Sequence, residues 1–554
     1  SLSQTHVSPL TLRLNEMKLN VQNPSLFSIY KRYLVTCFRY RGNDDVQFWK
    51  MKIPNLGLSR SLLKFLRMRI CTQNLLNQTS QQQEVRVNQR PLTYCYVGKL
   101  RRGCEISKRY YSTSRLFISD STAGQIPHYV DLDLDIDARL SDPKKLKANL
   151  EARKIQFSVE ELVTNRRRML DIKEQKERLE MEREENAKQM AVLVREKKGH
   201  PEFSALSRPM IERGKEVKEK LKSIMSQWWE VEEKVMLTAL SLPNNLHPQT
   251  PDSSPEVVEE YFAERKMTSD LSHYEIMKKS NLVKFSNVGP RAYYLQENLA
   301  LLEQNLIRYF SRRLEVDGFI HWTCPEMFKP VVVEGSGIDF MNRNELFCLQ
   351  QKSKSDVDSG DSSSSIDSVY FRGVSLASFS AYLTRSFIEE SALPMRLFTV
   401  GKSYVPCTQN SLPGLYGGVQ STKCCILGIC RSPKESWDMC NNIREKVISL
   451  IKPFKVPMRL VVIPASCLHS SEEYRMDVQI WVPSQEQYVM MGSVSMLSDY
   501  VSRRLMIRCG ENPNHLHKSS PVHMVYGEVM NISRLIGCMV EYNKLDVPQL
   551  EKNT

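Results

Sequence analysis

Residues 209–240 read PMIERGKEVKEKLKSIMSQWWEVEEKVMLTAL, and within them Val217, Leu221, Ile224, Trp228, Val231, Val235 and Thr238 alternate by four and three. That spacing is a heptad seam, one apolar stripe along a helix that needs a second helix to bury it. The partner stands upstream. In Val159–Lys198, Leu162, Met169, Ile172, Leu179, Met190 and Leu193 fall on a similar seam, interrupted by Asn165, Lys176, Arg183 and Asn186. A short Gly/Pro/Ser turn from Gly199 to Arg208 joins the two, so they pack antiparallel. About forty residues per helix predict an arm of roughly 60 Å, too long for the inside of a compact domain. It is either a coiled-coil spacer or a binding arm.

A chain of 554 residues has room for two domains plus extensions. Its net charge of +14 is not spread evenly. Residues 1–119 hold 20 Lys/Arg against 5 Asp/Glu, leaving 57 against 58 for residues 120–554. The body is about neutral, so overall basicity is no argument for nucleic-acid binding. None of the 14 cysteines forms a CxxC pair, and adjacent Cys424 and Cys425 suit neither a mutual bridge nor tetrahedral zinc. Free thiols in a reducing compartment follow. No metal set or cofactor is expected, and no apolar run reaches the length of a membrane span.

From Met51 to Ser119 there are 13 Lys/Arg and only Glu84 and Glu105 as acids, among many Ser, Thr, Asn and Gln. This composition predicts a mitochondrial presequence and a matrix protein. Arg109–Ser114 reads as the cleavage region, with a mature start near residues 110–120. A disordered basic tail that binds nucleic acid is the alternative. Residues 120–248 form the hairpin domain, with an entry strand and helix over Asp131–Leu150, Asp142-Pro143 as a helix start, and an exit at Ser241–Pro248. Residues 249–270 read as a polar linker, 271–545 as a second domain and 546–554 as a tail. Within 271–545, Lys352–Ser368 is a Ser/Asp-rich stretch expected to be disordered. Helices are predicted at Leu299–Glu315, Ser375–Glu389, Glu435–Ile451 and Val529–Tyr542. Strands are predicted at Gly318–Trp322, Arg396–Val400, Cys424–Cys430, Leu460–Ile463, Asp477–Val482 and Tyr488–Val494. The fold class is α+β, a long antiparallel helical hairpin followed by an antiparallel sheet flanked by helices.

This order of parts resembles the seryl-tRNA synthetases, class II aminoacyl-tRNA synthetases, over about residues 131–542. Leu242-Pro243-Asn244-Asn245-Leu246-His247 is similar to the family's hairpin exit. His273–Ile276 and Gly289–Leu295 are similar to its catalytic-domain opening, and Gly318-Phe319 through Pro325 to motif 1, which carries the dimer interface in this class. Asp477–Pro483 and Asp499–Arg504 resemble two further family segments, and Gly527 and Arg534 keep part of motif 3. The resemblance implies a class II catalytic fold, a dimer and an arm that contacts tRNA. Within the family it is nearest to the catalytically degenerate, seryl-tRNA synthetase-like mitochondrial kind found in insects.

Degeneracy is read from what replaces the family's site residues. Activating serine with ATP needs cations on phosphate and carboxylates for magnesium and the substrate ammonium. The motif 2 arginine falls on Val405 and its glutamate on Cys407; a later glutamate falls on Ile429. The serine-recognising glutamate falls on Ala377, and a further Glu and Asn fall on Met490 and Met496. Between Phe398 and Ile429 there is no Arg, Glu, Asp or His, only Lys402 and Lys423. Arg534 is left either to hold a phosphate or to be a buried, internally bonded arginine. His273 and His523 read as hydrogen-bonded core residues, and Cys424-Cys425 as small buried hydrophobes.

On the arm, Arg195–Lys222 carries 9 Lys/Arg against 5 Asp/Glu. Lys197, Lys198, Arg208, Arg213, Lys215 and Lys218 suit phosphate contacts, and Arg166, Arg167 and Arg168 make a second patch near the base. A solvated surface explains either patch equally well. The expectation is an inactive mitochondrial seryl-tRNA synthetase paralogue that pairs with the active mitochondrial enzyme, or with itself, and contacts mitochondrial tRNA or other RNA, away from any membrane. The alternative is a drifted but active ATP-dependent serine–tRNA ligase.

Overall fold

The computed structural model describes residues 36–41, 47–52, 114–117, 130–197, 199, 201–286, 292–342, 344–349, 368–407, 411–514 and 518–548. The remainder of the 1–119 extension, with Arg109–Thr113 of the expected cleavage region, lies outside the described residues, as do 352–367 of the Ser/Asp-rich insert. Residues 1–99 form one unit and residues 100–554 another. In the first, Thr36–Arg41 pairs antiparallel with Gln47–Lys52, which composition did not predict.

The second unit opens with α1 (Ile136–Leu140) and α2 (Pro143–Ala152); no strand is present where an entry strand was expected. Asp142 starts α2 by accepting the Lys145 amide, with Pro143 in the first turn. α3 (Val159–Lys197) and α4 (Phe203–Leu240) form the hairpin. α4 begins at Phe203 rather than Pro209, which sits inside the helix; proline there forfeits one backbone bond without stopping the helix. Leu162, Met169, Ile172, Val217, Leu221, Val231 and Val235 of the seam are buried, each worth about 1.5–3 kcal/mol if fully removed from water. Ala239 takes the last buried position in place of Thr238, whose hydroxyl turns back to the Lys234 carbonyl. The interruptions find partners: Asn186 donates to the Met210 carbonyl, and Lys176 lies over the Trp228 ring.

Eight strands build the core sheet: β1 (Glu256–Tyr261), β2 (Ile320–His321), β3 (Met395–Tyr404), β4 (Gln420–Cys430), β5 (Met458–Val462), β6 (Tyr474–Val482), β7 (Gln487–Ser498) and β8 (His523–Asn531). Their order is β1-β5-β6-β7-β8-β4-β3-β2, and only the short β2–β3 pairing is parallel. β1 lies in the stretch read as a linker, so residues 249–270 supply an edge strand rather than a tether. Its acidic residues are masked by cations from elsewhere in the chain, Glu259 by Arg444 and Glu260 by Lys266.

The helices of this domain are α5 (His273–Lys279), α6 (Glu297–Val316), α7 (Pro330–Gly335), α8 (Leu376–Leu383), α9 (Pro433–Ile451), α10 (Tyr500–Leu505) and α11 (Ile532–Glu541). α8 stops at Leu383, and Phe387–Glu389 is a strand where helix was expected. α11 starts three residues later than predicted because β8 runs to Asn531, whose side chain then caps the helix by accepting the Arg534 amide. α6, α9 and α11 cover one face of the sheet through Leu299, Phe310, Ile443 and Ile536. Val331, Ala377, Phe379 and Leu505 of α7, α8 and α10 pack on the other, against Leu397, Cys425 and Leu427.

The arm is locked to this domain by its exit. Buried Asn244 donates to the Ser471 and Leu497 carbonyls at 3.0 and 2.8 Å, and His247 stacks on Trp437. Arg153 at the end of α2 donates to the carbonyls of Asn244, Asn245, His469 and Glu472; burial pulls its pKa down to about 10. Among the described residues no helix is long and apolar enough to cross a membrane.

Candidate functional site

Strand alternation sends Ser421, Lys423, Cys425, Leu427 and Ile429 of β4 to the α8 side of the sheet, and Cys424, Ile426 and Cys430 to the opposite core. On the α8 side a cavity of about 320 Å³ opens, lined by Val405, Cys407, Ser421, Lys423, Asn531 and Arg534 among others. Val405 and Cys407, two of the positions singled out in the sequence, thus meet Arg534 and one of the two lysines in one place.

Neither lysine is free. Lys423 donates to Glu528 Oε2 at 2.7 Å, with both side chains nearly buried. Lys402 points to the opposite face, where it bonds Glu303 of α6 at 2.9 Å and Thr422 at 2.6 Å. The absence of acids on β3 and β4 therefore does not leave the lysines without carboxylates: β8 and α6 bring Glu528 and Glu303 to them. Arg534 is equally engaged. Its guanidinium donates to the Met490 carbonyl at 2.6 Å, and burial lowers its pKa against the pull of Glu528 and Asp477. Cys407 Sγ lies 3.2 Å from the Gly417 carbonyl, and Val405 contributes an aliphatic side chain where a guanidinium was expected in the family.

Beyond the cavity, the same face carries Arg475 and Asp477 of β6, Ser493 and Ser495 of β7, and Tyr526 and Glu528 of β8. These groups largely satisfy one another. Arg475 donates to Asp477 at 2.7 Å and faces Glu472, which accepts from Ser495 at 2.7 Å. Burial opposes the Arg475 charge, but Glu472 and Asp477 outweigh it and raise its pKa. Met490 packs its sulfur 3.1 Å from the Arg475 guanidinium. Tyr526 donates to Cys425 at 3.2 Å, and Arg372 gives its Nη1 to the Glu345 carbonyl. Glu528 Oε1 and Arg372 Nε have no partner among the described residues.

Ala377 and Ile429 are wholly buried in the apolar cluster beneath α8, so no group at either position reaches solvent. Met496 belongs to the core on the other face, and the structure does not bring it to the cavity. Cys424 and Cys425 are fully buried; burial pushes the first thiol well up and the second to about 12, which leaves no thiolate for chemistry. His273 is a core residue whose Nδ1 meets Glu541 at 2.9 Å and whose Nε2 accepts the Leu415 amide, fixing the proton on Nδ1. His523 is half-buried and its pKa is lowered by burial. Glu275 closes a capping box with Ser272.

The arm's candidates divide. Arg166 is taken by Asp137 in a two-pronged pair at 2.8 and 2.7 Å, so it is not available to a phosphate as expected. Arg213 bridges the hairpin to Glu182 at 3.0 Å, and Arg208 lies 3.5 Å from Glu212. Lys197 ends α3, and Lys198 lies outside the described residues. Arg167, Arg168, Lys215 and Lys218 are exposed. At the motif 1 end, β2 is the outermost strand of the sheet, and Leu301, Val316 and Ile320 are 62%, 72% and 54% exposed.

Sequence reading missed Glu528, Glu303, Glu472, Arg475 and Arg372. Asp477 was quoted only as part of a strand. For Arg475 and Asp477 the signal was available, since two charges at alternate positions of an apolar strand face the same way. The others come from remote segments, and only the fold sets them beside their partners.

Comparisons with known proteins show what the chain is similar to. Residues 367–543 match the tRNA synthetase class II core domain (G, H, P, S and T). The chain is 25% identical over 442 residues to the serine–tRNA synthetase-like protein Slimp of Drosophila melanogaster, covering 77% of this chain and 89% of that protein. It is 24% identical over 431 residues to the mitochondrial serine–tRNA ligase of Mus musculus, covering 74% and 80%. The fold is shared with the seryl-tRNA synthetase of Pyrococcus horikoshii solved with ATP, at a TM-score of 0.60 and 20% identity, covering 74% of this chain and 94% of that one.

Proposed function

We propose that this chain, a seryl-tRNA synthetase-like protein built on a class II tRNA synthetase core, is a catalytically inactive mitochondrial paralogue that works as a binding subunit. The observation that carries the reading is the engagement of every cation at the cavity. Lys423 is held by Glu528, Arg534 by the Met490 carbonyl, and Lys402 turns to Glu303 on the other face. A nucleotide's phosphates need several free, preorganised charges at once, and here a phosphate would have to break existing bonds to find one. Likeness to mitochondrial ligases and the acid-poor extension support the matrix as its location.

A binding subunit needs surfaces, and two are present. The exposed apolar residues around the motif 1 edge, Leu301, Val316 and Ile320, suit a dimer partner. We assign that partner as the active mitochondrial seryl-tRNA synthetase. Co-expression of the two proteins, followed by purification through a tag on one, is expected to recover both in equal amounts. Recovery of homodimer or monomer alone contradicts the pairing.

The second surface is the distal arm, which we assign to RNA phosphates through Lys215 and Lys218. Charge reversal of both lysines to Glu is expected to weaken RNA binding at least tenfold at low salt and to reduce the salt slope by about two, one for each lost contact. Unchanged binding by filter retention or anisotropy returns the arm to a spacer.

A further inference from the structure

Glu334 stands in the run Val331-Val332-Val333-Glu334-Gly335-Ser336, a single charge in an otherwise apolar and small stretch, and the proposed function gives it no role. It lies at the end of α7 with its carboxyl half-buried. Its donors come from the amino-terminal extension. Ser114 Oγ donates to Oε1 at 2.7 Å, and the amides of Arg115 and Leu116 donate to Oε2 at 2.7 and 3.2 Å. Ser114 Oγ also accepts the Leu116 and Phe117 amides, both at 3.2 Å, which bends the segment into a side-chain turn. Burial pushes the Glu334 carboxyl up, and these three donors oppose that rise. Leu116, the next side chain along, is 1% exposed and joins the apolar cluster that contains Val331, Ala377 and Leu505.

The contacts have the form of a peptide site. One carboxylate reads two consecutive amides and a hydroxyl, and a socket takes the leucine. A second fixed point follows at Val130, 2% exposed in the same cluster, with the Asp131 amide on Met506 Sδ and Asp133 paired to Arg503 and Arg508.

We infer that Ser114–Phe117 is an internal peptide ligand of the core domain, held by Glu334 and the Leu116 socket, and that hydrolytic removal of the extension cuts one peptide bond on the amino-terminal side of Ser114. A cut beyond Phe117 removes three donors from a half-buried carboxylate and empties an apolar socket, both destabilising. The inference rests on the reading of the extension as a removable mitochondrial presequence, and not on whether the cavity is inactive. It narrows a mature start near residues 110–120 to Ser114 or earlier.

The test is hydrogen exchange on the full chain, read at the Arg115 and Leu116 amides. Both are expected to exchange at least a hundredfold slower than in a free peptide of residues 112–118. Glu334→Gln leaves one acceptor oxygen and turns an NH2 toward the donors, so exchange at both amides is expected to rise at least tenfold while the β8 amides keep their protection. Free-peptide rates in the unmodified chain, or no change in Glu334→Gln, overturn the inference. Should Glu334→Gln also loosen β8, Ser114→Ala, which buries no new polar group, is read by the same criterion. Amino-terminal sequencing of the protein recovered from cells is expected to begin at or before Ser114; a start beyond it overturns the inference as well.

Discussion

Lys423→Met is expected to lower the unfolding free energy by about 3–5 kcal/mol, the cost of leaving one member of a buried ion pair uncompensated. The prediction follows from geometry. Glu528 is 7% exposed and receives its hydrogen bond from Lys423 at 2.7 Å, while its other oxygen has no partner among the described residues. Arg534 and Arg475 near it are committed to the Met490 carbonyl and Asp477, and Arg372, whose Nη1 is given to the Glu345 carbonyl, makes no hydrogen bond to Glu528 although its Nε has no partner among the described residues. Removing the ammonium therefore takes away the one hydrogen bond that the Glu528 carboxylate receives among the described residues. Lys423→Met with Glu528→Gln is expected to recover most of the loss, because both charges then leave together. Urea unfolding of the four members of the cycle measures it. A lysine kept for a phosphate would behave differently: its loss would leave stability nearly unchanged, and a single-mutant cost under about 1 kcal/mol would contradict the structural pair.

How much of this was legible beforehand depends on the range of the interaction. The hairpin was read correctly from its seam because heptad spacing is local and the buried residues repeat every three or four positions. Its errors were local too. Pro209 was taken as a start although the helix runs through it, and Thr238 was placed on the seam in the turn where Ala239 is buried. Apart from Gly318–Trp322, which supplies the exposed edge strand β2, the strands that were read lie in the interior of the sheet, where both faces are covered and the sequence is largely apolar. β1 was missed because Glu256-Val257-Val258-Glu259-Glu260-Tyr261 is an acidic edge strand, with Glu259 paired to Arg444 far along the chain and Glu260 to Lys266 just beyond the strand.

The cavity was half legible. Of the positions singled out, Val405, Cys407 and Arg534 line one space, while Ala377, Ile429 and Met496 lie in the core away from it. Its electrostatics were not legible, because absence of acids on two strands says nothing about the acids that a third strand and a helix deliver. Lys402 shows this most plainly. Neighbouring Gly401 and Ser403 face the α8 side, so a lysine between them must face the other way, and there it meets Glu303. The sequence supported two available cations, and the fold leaves none unpaired.

The largest expected effect is the one on chemistry. Removal of a single preorganised donor from an acyl- or phosphoryl-transfer site costs about 3 kcal/mol in the transition state, or more than a hundredfold in rate. On the proposed reading, Val405 stands where the family resemblance expects a guanidinium, and Cys407, Ala377, Ile429 and Met490 where it expects carboxylates. Effects that act as a unit are not additive, so on the proposed reading the expected deficit is at least the roughly hundredfold of a single loss. The direct measurement is serine-dependent ATP–pyrophosphate exchange on the purified chain, beside an active mitochondrial seryl-tRNA synthetase at equal concentration. Exchange indistinguishable from the no-enzyme background is the predicted result. Exchange above background that rises with serine, and survives removal of any co-purifying synthetase, would contradict the reading of this chain as a binding subunit without the family's reaction.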